Sequence, residues 1–191
     1  MSVQRKEEIL QAARHSFEAF GYKATTMDHV AKAANVGKGT IYNFFKNKEE
    51  LFHEIITDLL KEMKWKAESV MDDQRSFKEN VHLALYELLE YRRTNQLMVK
   101  LIQEGKEIGT GTVKKALIHE EGLIINYLQD QVSKAVKKGD IRSCDPEMTA
   151  FIMYKLYTAF TIEWEALHEP LPKEKVAKYF DEYLFKGLSP S

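Results

Sequence analysis

Thr26-Met27-Asp28-His29-Val30-Ala31-Lys32-Ala33-Ala34-Asn35-Val36-Gly37-Lys38-Gly39-Thr40-Ile41-Tyr42-Asn43-Phe44-Phe45-Lys46-Asn47-Lys48-Glu49-Glu50-Leu51 reads as two short helices separated by a break. Met27, Val30, Ala31 and Ala34 recur at helical spacing and give the first helix one apolar face. Thr25 with Asp28 is a near-match to a capping box, Asp replacing the usual Glu or Gln. Asn35-Val36-Gly37 ends the pattern, because Asn tolerates the left-handed conformation and Gly takes any. A second helix, about Lys38 to Phe45, turns Ile41 and Phe45 inward.

Outward from this stretch the pattern stays helical. Ile9, Ala13, Phe17 and Phe20 predict a helix from Val3 to Phe20, stopped by Gly21 as a C′ residue. Lys48-Glu49-Glu50 opens a long helix that carries Leu51, Ile55, Leu59 and Met63 to about Met71. Ser76 and Glu79 form a full capping box for the next, ending at Thr94-Asn95. A short apolar segment, Leu97 to Ile102, leads to Gly105, Gly109 and Gly111. Thr112 is expected to cap a helix that runs to Lys138 and stops at Gly139. Asp145-Pro146 starts another, an Asp N-cap with Pro at the first helical position, apolar through Trp164. Pro170 and Pro172 separate it from Lys173–Lys186, closed by Gly187. The expected fold is all-α with about nine helices. It divides into an N-terminal three-helix helix-turn-helix domain over residues 1–48 and a helical domain over 49–191.

Composition fits a folded chain. Of 191 residues, 44% are hydrophobic and 30% charged, with nine Gly and four Pro, which leaves long unbroken stretches for helices. Cys144 stands alone, so no internal disulfide framework exists. The start is polar, without the apolar run of a secretory signal, and no apolar run reaches the ~20 residues of a membrane span. These readings place the chain in the cytoplasm and away from membranes. The net charge is −1, but it is unevenly spread: residues 1–48 hold eight Lys/Arg against four acids, +4, which leaves −5 for the rest. A basic head on an acidic body offers one end to phosphates.

Two short helices joined by a three-residue turn, with a long helix on either side, form a helix-turn-helix pattern. A helix that enters the ~12 Å major groove must be slim where it approaches, and Gly37 and Gly39 are slim. Lys38, Thr40, Tyr42, Asn43 and Lys46 supply donors of several kinds. By spacing, Lys38 and Asn43 lie on the reading face; Asn pairs with adenine and Lys reaches guanine, though either is also read as a phosphate contact.

The stretch from Thr26 to Leu51 resembles the signature of the tetracycline-repressor (TetR) family, roughly T-x-x-x-I-A-x-x-A-G-V-S-x-G-T-x-Y-x-x-F-x-x-K-E-x-L. Asn35 departs from it where Gly is usual, and Gly37 where Ser usually caps the recognition helix. Val136-Lys137-Lys138-Gly139-Asp140-Ile141 with Asp145-Pro146-Glu147 resembles the junction between the family's two long ligand-domain helices. The resemblance implies that Thr40, Tyr42 and Lys48 hold phosphates, with Thr26 donating to another. It also implies a homodimer made by the last two long helices, a double-stranded DNA operator of palindromic form, and release by a small molecule. Plain alternatives stand beside these roles. Tyr42 is also a core-edge residue, Lys48 a solvated lysine, Thr26 a pure N-cap, and His29 a surface or packing residue. An activator with the same architecture stays open.

In the second domain Phe151, Tyr154, Tyr157, Phe160 and Trp164 recur at three- and four-residue steps. Such a run is core or dimer seam first and ligand wall second. The candidate lining of a cavity for a hydrophobic or amphipathic effector is Leu97, Leu101, Tyr127, Phe151, Tyr154, Phe160 and Trp164. Glu163 and Glu165 offer a carboxylate to a lipophilic cation, and Lys106, Lys114 and Lys115 an anionic head group its partner; a solvated surface is the alternative for each. Enzymatic motifs fail. The glycines from 105 to 111 lack the Gly-Lys-Ser/Thr of a phosphate-binding loop. The six histidines (15, 29, 53, 82, 119, 168) are scattered, without a zinc spacing. No G-x-S-x-G elbow appears. The expectation is a regulator, not an enzyme, with no cofactor and no metal.

Overall fold

The computed structural model describes residues 3–95, 97–108 and 111–188. Among these, nine helices and no strand are present: α1 (Val3–Ala24), α2 (Met27–Ala33), α3 (Lys38–Phe44), α4 (Lys48–Ser69), α5 (Phe77–Thr94), α6 (Leu97–Ile108), α7 (Gly111–Lys138), α8 (Pro146–Thr158) and α9 (Lys173–Phe180). A π-helical turn, Ala159–Glu163, continues α8, and another, Asp181–Phe185, continues α9 into a last turn at Lys186–Leu188. Gly109 lies outside the described residues, as do the side chains of Lys106 and Thr112.

The described residues fall into two compact units: those up to Glu62 with Thr94–Ile118, and Met63–Arg93 with those from His119 onward. The division expected at residue 48 ignores two things that packing brings in. The first four turns of α4 belong to the first unit, where Leu51, Phe52, Ile55, Ile56 and Leu59 are buried. Lys6 to Glu54 (2.6 Å) and Arg14 to Glu62 (2.9 Å) tie this stretch to α1. The second is α6. The apolar segment at Leu97–Ile102 is the start of a twelve-residue helix, and its Leu97 and Leu101 are buried in the first unit.

Local signals explain the ends of the elements. Gly21 does break α1, at φ 79, but the helix resumes for one more turn through Ala24. Phe20, expected in the buried stripe, is 67% exposed, and Tyr22, beyond the break, turns inward in its place. The cap of α2 is Thr26 rather than Thr25: its side chain accepts from the His29 amide. Thr25 is fully buried and its hydroxyl donates to Gly21 O (2.8 Å) and Ser16 O (3.1 Å). Asn35 takes φ 52 in the turn before α3. Ser76 and Glu79 cap α5 reciprocally. Asp145 caps α8, accepting from the amides of Glu147 and Met148.

The second unit closes over Phe77, Leu85, Val132, Met153, Val176, Phe180 and Phe185. Each such side chain contributes about 1.5–3 kcal/mol by leaving water. One charged pair is buried with them. Arg92 on α5 donates to Glu165 through Nη1 and Nη2, and its Nη2 also donates to Thr161 O. That carbonyl lies in the π turn, which Trp164 N closes on Ala159 O at 2.8 Å.

Candidate nucleic-acid interface

Helix α3 is seven residues long and is held by two side chains. Ile41 and Phe45 are buried to within 1% of full burial. With those two fixed, helical geometry sends Lys38, Gly39, Tyr42 and Asn43 outward, and all four are exposed. Thr40 is half-buried. Gly37 begins the helix with no side-chain cap, so its first amides are open to an acceptor from outside. Thr26, at the start of α2, is exposed too. It already accepts from the His29 amide at 3.2 Å, and its hydroxyl hydrogen stays available for a phosphate. Lys46 is exposed; its amide donates to Glu50 (2.7 Å) while Asn47 Oδ1 receives the Glu50 amide (2.8 Å), which caps α4.

Two residues of the expected set carry partners that the sequence did not reveal. Lys38 Nζ lies 2.9 Å from Asp28 Oδ2, an ion pair between α3 and α2. The hydrogen bond and the charge of Asp28 raise the lysine above its usual pKa. Lys48 points into the protein. Its Nζ donates to Tyr22 O (2.8 Å) and Thr25 O (2.9 Å), and sits 4.3 Å from the centre of the Tyr22 ring. Burial lowers its pKa, with the charges of Glu49 and Glu104 pulling the other way. In this arrangement Lys48 closes the end of α1 in the manner of a C-cap cation. Both partnerships link residues far apart in sequence, so no local spacing marks them.

The first unit is therefore a helix-turn-helix with its second helix bare on one side. Residues 9–55 match the model of the bacterial regulatory proteins of the tetR family. Along nearly the whole chain the sequence is similar to the HTH-type transcriptional regulator YhgD of Bacillus subtilis (strain 168): 55% identity over 189 residues, 99% of each chain. This chain belongs to the TetR family. More distant is the HTH-type transcriptional repressor KstR2 of Mycolicibacterium smegmatis, at 24% identity over 98% of this chain and 92% of that one. The fold matches that of the fatty acid degradation regulator FadR from Bacillus halodurans, with TM-score 0.76 at 16% identity over 94% and 95% of the chains. A TetR-family chain is a DNA-binding transcriptional regulator and not an enzyme.

In this TetR-family regulator the seven residues considered for an effector cavity are divided between the two units. Leu97 and Leu101 are in the core of the first unit. Tyr127 lines an open cleft of about 1030 Å³ in the second unit, with Phe77, Leu83, Asn80, Gln131 and Lys134 among its other walls. Burial and the nearby Glu68 push the Tyr127 phenol well above its usual pKa. Phe151 and Trp164 are exposed, the latter stacked on His168. Tyr154 is half-buried, and Phe160 packs against Tyr179 at 5.3 Å. Of the two carboxylates considered for a cation, Glu165 is taken by Arg92. Among the described residues no group of three His, Cys, Asp or Glu side chains is placed to hold a metal ion, and no helix is long and apolar enough to cross a membrane.

Proposed function

We propose that this chain is a ligand-responsive repressor acting in the cytoplasm, which binds a palindromic operator as a homodimer and leaves it when a small molecule binds. The observation that carries the DNA reading is the bare face of α3 over its Ile41–Phe45 anchor, flanked by Thr26 and Lys46. Asn43 and Lys38 read base edges; Thr26, Thr40, Tyr42 and Lys46 hold phosphates, with Gly39 giving close approach. Lys48 serves this face from behind. Residues 1–48 carry DNA contacts and residues 49–191 carry effector and dimer contacts, with the start of α4 and all of α6 packed on the DNA-binding head.

Salt titration tests it. Log K should fall by about 0.9 for each phosphate neutralised, and a flat dependence ends the DNA reading. Asn43→Ala should cost about 1–3 kcal/mol on the preferred duplex and relax one base position. A uniform loss on all sequences would make Asn43 a phosphate contact.

The dimer reading rests on the second unit. Met148, Phe151 and Ile152 on α8, Leu167 after it and Tyr183 after α9 are large apolar side chains left exposed. Read as one face, they would form an interface, and a two-fold dimer would set two copies of α3 on a palindrome. Phe180 is not part of that face: it is 3% exposed, in the core. Phe151→Arg should therefore yield a folded monomer by sedimentation, whereas Phe180→Arg unfolds the unit. A dimer unaltered by Phe151→Arg moves the interface elsewhere.

The effector is read as hydrophobic or amphipathic; the open cleft of the second unit offers Phe77, Leu83 and Tyr127 to its apolar part and Arg75, Lys134 and Lys138 to a polar one. Operator DNA should weaken effector binding by the same factor that effector weakens operator binding. Titrating lipophilic cations and acyl compounds with and without operator checks this. An affinity unchanged by operator, for the compound that binds best, refutes induction.

A further inference from the structure

The stretch from the kink at Gly21 to Thr26 leads from α1 into the DNA-binding pair of helices, and two other helices hold it. At Gly21 the backbone leaves the helix, φ 79 and ψ 166. The Tyr22 amide then donates to a carboxylate from α6, with Glu104 Oε2 at 2.6 Å. The carbonyl of the same residue receives the Lys48 ammonium of α4 at 2.8 Å. Tyr22 is thus gripped at both ends of its backbone, by an anion on the N–H and a cation on the C=O. Its ring is fixed edge-on against Phe52, centroids 5.0 Å apart.

The approach of α6 is built for this contact. A Cβ on Gly21 would stand 2.5 Å from Glu104 Oε1, so the carboxylate occupies the space that glycine leaves. A Cβ on Gly105 would stand 2.9 Å from Leu117 and 3.2 Å from Val113, so the glycine beside Glu104 allows close packing there too. One turn earlier, Lys100 donates to Glu18 O at 2.9 Å. Beyond the grip the chain passes through buried Thr25 to Thr26, the cap of α2. What fixes Tyr22 therefore fixes the direction in which α2 starts.

We infer that Glu104 is a positioning residue for DNA reading, which by accepting the Tyr22 amide sets the angle at which α2 and α3 meet the groove. The inference rests on the DNA-binding reading above. Base contacts demand placement within about 0.5 Å, whereas phosphate contacts carry no sequence information and tolerate more. Loss of Glu104 should cost sequence preference rather than adhesion to DNA. In sequence α6 stands between α5 and α7, whose larger parts belong to the second unit.

The probe is the duplex that the wild-type chain selects from a random pool, beside its scrambled counterpart. Glu104→Ala should weaken the selected duplex at least tenfold and leave the scrambled duplex and the salt slope unchanged. Glu104→Gln keeps an oxygen that accepts from Tyr22 and should stay within about threefold of wild type on both. Equal binding by Glu104→Ala, a proportional loss on both duplexes, or no rescue by Gln overturns the inference while the DNA reading stands. A wild type that prefers no duplex overturns both. If Glu104→Ala does not fold, amide exchange at Tyr22 decides. Slow exchange in the wild type and in Glu104→Gln, with duplex preference kept by the latter, supports the role; an unprotected Tyr22 amide in the wild type ends it.

Discussion

Glu165→Ala is expected to lose about 3–5 kcal/mol of stability, because it strands the Arg92 guanidinium in the core. The Arg92 side chain is 8% exposed and that of Glu165 13%, so water is in no position to replace the lost carboxylate. Replacing both partners, Arg92→Met with Glu165→Leu, removes the charge altogether and should restore most of the loss, since apolar residues of similar volume often substitute for a buried pair at little cost. Urea unfolding at unchanged slope is the measure. A midpoint for Glu165→Ala equal to that of the parent would show that the pair is screened by solvent. A second readout has a sign of its own. The Tyr157 phenol is pushed up to about 12 by burial and by Glu165, while the Arg92 charge pulls it down. Without Glu165 burial still holds the phenol up, but one upward contribution is gone while the Arg92 charge stays, so the phenol should ionise at lower pH than in the parent.

Gly21→Ala should cost about 3 kcal/mol, and its cause is separable. Part is backbone strain: φ 79 with ψ 166 belongs to a region essentially closed to residues with a Cβ, at about 1–3 kcal/mol. Part is the methyl meeting the Glu104 carboxylate, which displaces a charged hydrogen bond of about 1.5–3 kcal/mol. A double-mutant cycle divides them. In a Glu104→Ala background the collision is gone, and Gly21→Ala should cost only the strain. Full additivity in denaturant unfolding would mean that the carboxylate yields freely and the contact is loose.

The two short helices and their turn were legible because they are written in local terms. Asn35 and Gly37 mark a turn, Ile41 and Phe45 mark an inner face, and the resulting exposure of Lys38, Tyr42 and Asn43 follows from helical spacing. The caps at Ser76 and Asp145 were legible for the same reason. What escaped was decided at a distance. Periodicity put Phe20 inside and said nothing of Tyr22, because a glycine at positive φ shifts the phase of everything after it. Lys48 read as an exposed cation at a helix start; three carbonyls from the end of α1, 23 to 26 positions away, claim it. Spacing gave no sign of Glu104 or Arg92, because the fold sets each beside a partner 73 or more positions distant. The aromatic run on α8 gave its spacing but not its use, since core, seam and cavity wall share one period.

The ion pair between Lys38 and Asp28 bears on how fast a site is found. A regulator must pass on the order of 10⁶–10⁹ competing sites. If Lys38 reads a base as proposed, it carries its own anion with it, so any phosphate it meets must compete with that carboxylate. At a random site the exchange gains nothing, and the hold on DNA is the lighter for it. At the right site a base edge would offer an acceptor in a groove with less water than surrounds the exposed Asp28 carboxylate. On that reading the pair would shorten residence on wrong sequences, by the small amount that an exposed ion pair is worth, and so favour the one-dimensional search along the duplex.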